Sequence, residues 1–377
     1  MAIRKSAALI AGLAMAFGMM AGCSAERSPA EPAPTATGGE TPSAEKPLIG
    51  ITMPTVSLER WNNDGAGLKA QLEEMGYETM LDYADNKNEL QITQLENQIN
   101  AGAKVLVIAS IDGKTLGPTL QKAADKGIKI IAYDRLILNT PNVDFYATFD
   151  NYKVGELQGN FIKEALELDS AAGPFNFEPF AGSPDDNNAS LFFGGAWDQL
   201  KPFVESGKLV INSETGKKAS GNWQDIGILG WGSSDAQDEM ENRLNSFYTD
   251  KKVDVVLSPN DSLALGIAQA LETKGYTVGG DWPVLTGQDG DVANVKNILA
   301  GKQSMTVWKD TRELAKRVAT MVDEIAQGKD VTVNNTTDYD NGEKVVPSFL
   351  IDPEVVVADT VQSKLVDSGF IKADQLK

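Results

Sequence analysis

The side chains with the most chemistry in this sequence stand in short groups, each close behind an apolar run. Arg60 and Trp61 lie a few residues past the run at 49–53, and Asp134 and Arg135 follow the run at 129–133. Asp185, Asp186, Asn187 and Asn188 come after 175–180 through a Gly-Ser-Pro turn. Trp231 stands before a helical stretch. Asn260 follows 253–258, Gln288 and Asp289 follow 283–287, and Lys309 follows 304–308. Carboxylates and amides bind pairs of hydroxyls, more strongly when one partner is charged. Arg and Lys donate to hydroxyl and ring oxygens, and indole rings cover flat apolar surfaces. A pyranose presents both features, with hydroxyls at its rim and C–H bonds on its faces. A site for it needs several planar polar groups and one or two Trp, converging on one cleft.

Taken singly, each group has a plainer explanation. Asp, Asn and Gly behind a strand form turns and helix caps. Asn260-Asp261 and Asp310-Thr311 both fit a cap, and Asp134 with Arg135 fits a local ion pair. Trp61 and Trp231 also fit core positions, and Trp223 and Trp282 read as packing. The functional reading rests on joint placement at one edge of the sheets that the sequence predicts.

Composition removes whole classes of activity. The chain has 377 residues, no His and a single Cys, Cys23. Ser-His-Asp and Cys-His catalysis, and metal sites that use His, are therefore excluded, as is an intrachain disulfide. A glycosidase could still use Asp185 with Asp186, or Asp134 with Asp289. Carboxylates beside Arg and Lys stay ionised, however, which suits a general acid poorly; no enzyme is expected. No Asp-rich loop has EF-hand spacing, so neither metal nor cofactor is expected. With 34 Lys+Arg against 53 Asp+Glu, the formal net charge is −19. That argues against nucleic acid or an anionic membrane surface as an electrostatic partner.

A repeating framework must position these groups. From Pro47 onward apolar runs alternate with helical periodicity: strands at 49–53, 77–83, 104–109 and 129–133, and helices at 58–75, 89–99 and 116–125. The alternation predicts a parallel sheet with right-handed crossovers. After a helix within 149–168 the pattern restarts. It predicts strands at 175–180, 209–212, 253–258, 283–287 and 304–308, with helices at 187–204, 235–248, 262–273, 292–299 and 312–326. Strands within 345–357 and a last helix at 360–368 complete it. Two doubly wound α/β lobes follow, with ligands expected outside the carboxyl ends of the strands.

The N-terminus reads as an export signal. Arg4 and Lys5 precede an uncharged run from Ser6 to Met20, which is short for a transmembrane helix. Met20-Ala21-Gly22-Cys23 resembles a bacterial lipobox, so residues 1–22 are expected to be removed and Cys23 to carry lipid. The remainder of 23–46 is rich in Ala, Pro, Glu, Thr and Gly and reads as a disordered tether. As a flexible coil it would reach roughly 25–30 Å. The globular part is then expected outside the cytoplasmic membrane, held near it by the anchor.

The segments "PTVSLERW", "LVIASIDG", "IAYDRLI", "YATFDN", "GSPDDNNA", "LSPNDSLALGI", "TGQD" and "WKDTRELA" resemble the periplasmic-type sugar-binding proteins of bacterial ABC transporters. The likeness is to the xylose-binding and multiple-monosaccharide-binding proteins, and it runs in order from about 47 to 377. It implies the type I periplasmic-binding-protein fold, two Rossmann-like lobes with three hinge crossings that close on one monosaccharide. The first lobe is expected at 47–150 plus about 290–328, the second at 151–289 plus about 329–377. By the same resemblance Arg60 would bond a hydroxyl or ring oxygen, with Trp61 on one sugar face and Trp231 on the other. Asp134 and Arg135 would grip from the first lobe, and Asp186 and Asn188 from the second. Asn260 and Lys309 would donate, and Asp289, near a crossing, would accept. Asp185, Asn187 and Gln288 are secondary candidates. Gly230 departs from relatives, which tend to carry Arg or another large polar residue beside that Trp. The implied partners are a monosaccharide such as xylose, glucose or galactose, and the permease of an ABC importer, with the receptor a lipid-anchored monomer. A sugar sensor serving a chemoreceptor or kinase would use the same module. A sugar-responsive transcription regulator would need an N-terminal helix-turn-helix where this chain has its export signal.

Overall fold

In a computed structural model, residues 46–377 are described. The export signal, Cys23 and the tether lie outside the described residues. The first elements are β1 (Leu48–Met53), α1 (Glu59–Glu74), β2 (Glu78–Tyr83), α2 (Asn88–Ala101), β3 (Val105–Ile108), α3 (Gly117–Asp125), β4 (Lys129–Tyr133) and β5 (Phe145–Phe149). Next come α4 (Asn151–Ala165), β6 (Phe175–Pro179), α5 (Asn187–Glu205), β7 (Leu209–Val210), α6 (Glu214–Lys217), α7 (Ser233–Phe247), β8 (Val255–Leu257) and α8 (Asp261–Thr273). The chain finishes with β9 (Val284–Leu285), α9 (Val292–Leu299), β10 (Thr306–Trp308), α10 (Thr311–Ala326), β11 (Ser348–Ile351) and β12 (Glu354–Val356). The helix expected at 360–368 is instead a 3-10 turn, Ala358–Thr360, followed by a π-turn, Gln362–Val366. This segment anchors itself through Val361 and Leu365, both buried.

One sheet has six strands in the order β11-β5-β4-β3-β1-β2, and a second has four in the order β7-β6-β8-β9. Every pairing in both is parallel. β3 is buried along its whole length, as expected of parallel strands covered by helices on both faces. The outer edge at β11 is shielded: Asn334 donates through Nδ2 to the Leu350 carbonyl at 2.9 Å and accepts from the Leu350 N–H at 2.8 Å. A side-chain amide thus stands in for a neighbouring strand.

The expected lobe boundaries need correction in the second half. α10 packs on α1, β4 and β5 of the first lobe, but α9 packs on α8 of the second. β10 bridges to Gln288 and pairs with β12, so it also belongs to the second lobe. β11, by contrast, adds to the first sheet beside β5. The first lobe therefore takes in 311–351, and the second keeps 292–308 and 354–377. The chain crosses at Asp150, at Lys309-Asp310 and at Asp352-Pro353. Two short strands on either side of Asp352-Pro353 look alike in sequence, and only register assigns them to different sheets. β5 is also a strand that periodicity does not separate from the helix after it.

α4 and α5 approach to backbone contact. A Cβ at Gly155 would lie 1.9 Å from the Phe192 carbonyl oxygen, and one at Gly195 would lie 2.1 Å from that of Tyr152. Gly195→Ala should destabilise the fold by at least about 1–3 kcal/mol, the usual range for overpacking. A thermal melt checks this, and an unchanged midpoint would contradict it.

Candidate functional site

From the first lobe, the opening turn of α1 supplies Arg60 and Trp61, and the end of β4 supplies Asp134 and Arg135. Asp134 has a left-handed backbone, φ 60°, a conformation a non-glycine residue keeps only when its surroundings hold it there. Its carbonyl accepts from Tyr146 Oη at 2.7 Å, Thr148 Oγ1 at 2.8 Å and Asn188 Nδ2 at 2.9 Å. Its carboxylate meets Arg60 Nη2 at 2.9 Å. The Arg60 guanidinium lies 4.2 Å from the centroid of the Trp61 ring, and that of Arg135 lies 5.1 Å from it. Arg60 Nε donates to Asp64 at 3.1 Å, one helical turn on, and Asp64 also accepts from the Tyr133 hydroxyl.

These buried charges set one another's protonation. Burial alone would raise the Asp134 carboxyl, but Arg60, Lys309 and Arg135 outweigh it and hold it below the ordinary value. At Asp64 burial wins over the nearby Arg60 and pushes the carboxyl up to about 6. Unfolded, the same group titrates near 4. Proton uptake at Asp64 therefore favours the folded state; the contribution is full below about pH 4 and lost as pH rises through about 6. Asp64→Asn cannot ionise, so its melting temperature relative to the wild type should rise between about pH 4 and 7. A difference that stays constant with pH would contradict this assignment.

From the second lobe, Asp186 caps α5, accepting the Asn188 N–H at 2.9 Å. Its other oxygen lies 2.9 Å from Arg135 Nε and accepts from Trp231 Nε1 at 3.2 Å. Burial pushes the Asp186 carboxyl up, with Arg135 opposing. Gly230 and Trp231 are both left-handed, at φ 66° and 58°, and together they turn the indole inward. The ring lies on Gly182, where a Cβ would come within 1.9 Å of Trp231 Cη2. Phe192 meets it edge-on, with ring centroids 6.2 Å apart. Asn260 caps α8 through the Leu263 N–H at 3.0 Å and still faces the cavity, so cap and site coincide. Asp289, at φ 108°, sits 3.0 Å from Lys309 Nζ and 3.7 Å from Arg60 Nη1. The loop that carries it is pinned from below by Asp261, which accepts the Gly290 and Asp291 N–H groups, each at 3.0 Å. Gln288 Nε2 donates to the Pro259 carbonyl at 3.1 Å.

These residues surround one narrow, buried cavity. Every principal candidate of the sequence analysis lines it, and so does Gln288. Each is less than a tenth exposed, from 1% at Asn188 to 8% at Asp289. Asp185 and Asn187 do not line it: Asp185 accepts from the Ser183 hydroxyl, and Asn187 borders a separate surface groove with Asp150 and Tyr152. Two lining residues escaped sequence reasoning, Phe192 and Leu58. Phe192 had a signal, since it stands one helical turn past Asn188 and shares its face. Leu58 bridges the lobes by packing on both their cores. Arg60, Arg135 and Lys309 face Asp134, Asp186 and Asp289, so the lining is formally neutral. Polar groups and indoles meet there in a buried space, an arrangement fitted to hold an uncharged polyol.

The description of a periplasmic binding protein domain matches residues 49–330. The chain belongs to the periplasmic binding protein family. It is 50% identical over 336 residues to the multiple sugar-binding periplasmic receptor ChvE of Rhizobium radiobacter, covering 89% of this chain and 94% of that receptor. It is 36% identical over 333 residues to the D-xylose-binding periplasmic protein of Escherichia coli K12, covering 88% and 93%. A solved structure from Clostridium phytofermentans, an ABC transporter solute binding protein with bound beta-D-glucose, has 50% identity and a TM-score of 0.83, covering 88% of this chain and 100% of that one. As a periplasmic binding protein of type I, the chain has two Rossmann-like lobes. The candidate residues gather where the strand ends of the two sheets face each other.

Proposed function

We propose that this protein is an extracytoplasmic receptor that binds one neutral aldose, such as xylose, glucose or galactose, between its lobes and delivers it to an ABC importer. The observation that carries this is the buried, charge-balanced cavity walled by two indoles and fed from both sheets. The names of its relatives point the same way, to receptors for xylose and for multiple sugars. The lobes touch through the lining itself: Asn188 reaches the Asp134 carbonyl and Arg135 reaches Asp186. A ligand that replaces or reinforces such contacts favours the closed pair of lobes over the open one. A membrane permease would then recognise the closed form and release the sugar.

Lipid on Cys23 would keep the receptor beside its permease. Uptake of labelled xylose and glucose in a deletion strain tests the transport reading. Complementation by the full chain should restore uptake. Cys23→Ala should release the protein from the membrane fraction and reduce uptake while leaving sugar affinity unchanged. Wild-type uptake of every aldose in the deletion strain would contradict the transport role.

A further inference from the structure

Most polar groups around the cavity already have a protein partner. Arg60 is met by Asp64 and Asp134, Trp231 Nε1 by Asp186, and Arg135 Nη1 by the Ser110 carbonyl at 3.0 Å. Arg135 Nε and Asp289 Oδ1 lack an aligned hydrogen bond, yet each has an opposite charge at 2.9 and 3.0 Å respectively. Among the described residues, two buried side-chain atoms of the lining residues have neither. Trp61 Nε1 is buried without any acceptor, and Gln288 Oε1 is buried without any donor.

Neither group can turn away. The Trp61 ring is held under two guanidiniums and is 2% exposed. The Gln288 amide is fixed by chemistry as well as by packing. The Pro259 carbonyl can only accept, so the nitrogen end of Gln288 must face it, at 3.1 Å. The oxygen end is thereby left without a donor beside the cavity that Gln288 lines. The Gln288 backbone is tied too, since its carbonyl accepts from the Asp261 N–H at 2.9 Å. A buried polar group without a partner is penalised until one arrives, and a ligand that supplies it gains that difference.

We propose that Trp61 Nε1 and Gln288 Oε1 read the hydroxyl pattern of the sugar. The indole donates to a ligand oxygen, and the amide oxygen accepts from a ligand hydroxyl. This rests on the sugar-receptor reading and deepens it. Trp61 is then more than a flat plate, because its edge is a directional donor. Gln288 demands a hydrogen-bearing hydroxyl at one ring position. Sites that bond a hydroxyl in this way discriminate strongly against analogues that lack it.

The test uses calorimetric titration of the purified protein with D-glucose, D-xylose and the monodeoxy and deoxyfluoro D-glucoses. Wild type is compared with Trp61→Phe, which keeps an aromatic plate, and Gln288→Met, which keeps length. Each variant should raise the Kd for D-glucose about tenfold, the equivalent of 1.4 kcal/mol. One monodeoxyglucose should bind the wild type weakly and lose nothing further in Gln288→Met. Its deoxyfluoro counterpart should bind no better, because fluorine cannot donate. Folded variants that bind D-glucose within twofold of wild type would overturn the proposal. If a variant fails to fold, the wild-type series decides alone: fluorine rescuing every deoxy loss would overturn the role of Gln288. A wild type that binds none of these sugars would overturn the receptor reading and this inference with it. A wild type that binds while both variants are unaffected overturns the inference only.

Discussion

Replacing Asp134 and Arg135 together by Ala should abolish saturable sugar binding while the protein still melts cooperatively. The double change removes one charge of each sign, so the cavity stays balanced overall. It strips Arg60 of its 2.9 Å partner and Asp186 of its own, and it takes one guanidinium off Trp61. The carbonyl of residue 134, which anchors Tyr146, Thr148 and Asn188, remains in place. Ala in the left-handed region adds only about 1–2 kcal/mol of strain. Truncating buried charge pairs at a binding site typically weakens binding by 2–5 kcal/mol or more each, so the combined loss should be on the order of a thousandfold or greater. Calorimetry with a cooperative melt as control reads this out. Undiminished affinity would remove the strand end after β4 from the site.

Gly182→Ala should have the next-largest effect without touching a charge. The Trp231 indole lies flat on this glycine, and three of its ring carbons fall within 1.9–2.5 Å of the missing Cβ. The ring cannot simply lift. Its Nε1 is tied to Asp186, its carbonyl accepts from Ser262 Oγ at 2.9 Å, and the Gly230 N–H is held by Ser183 Oγ at 2.8 Å. The added methyl must push the indole into the cavity or break that loop. Sugar affinity should fall about a hundredfold, roughly 2.7 kcal/mol, with a change in tryptophan fluorescence. Gly67→Ala is the control, because its Cβ would meet nothing nearer than 3.9 Å. It lies within α1, where Ala is the better helix former, so binding should hold and stability should rise slightly. Equal affinity in Gly182→Ala would show that Trp231 is not a wall of the site.

The alternating order of strands and helices was legible because parallel strands covered on both faces leave uninterrupted apolar runs such as Val105–Ile108. The candidate site was legible for a related reason: in this architecture ligands meet strand ends, so the first polar residues behind each run are the ones to consider. Arg60, Asp134, Arg135, Asp186, Asn188, Asp289 and Lys309 share one cavity on that logic. What escaped depends on three-dimensional pairing. No local feature says that β11 joins β5 while β12, two residues later, joins β10. Asp185 and Asp186 are neighbours with the same chemistry. Only the cap geometry of α5 turns Asp186 inward and leaves Asp185 bonded to Ser183. Phe192 was hidden because an apolar residue in an apolar helix looks like core, and it is core as well as wall. The left-handed backbones of Asp134, Trp231 and Asp289 were not visible either, although Gly230 before Trp231 hinted at one of them.

Sugar recognition is read most simply by calorimetric titration of residues 46–377, one compact unit, with xylose, glucose, galactose, arabinose, fucose and ribose. Saturable one-to-one binding of one or a few of these aldoses is the expected result. A folded protein, shown to carry no sugar beforehand, that gives no binding heat at several temperatures with any of them would contradict it.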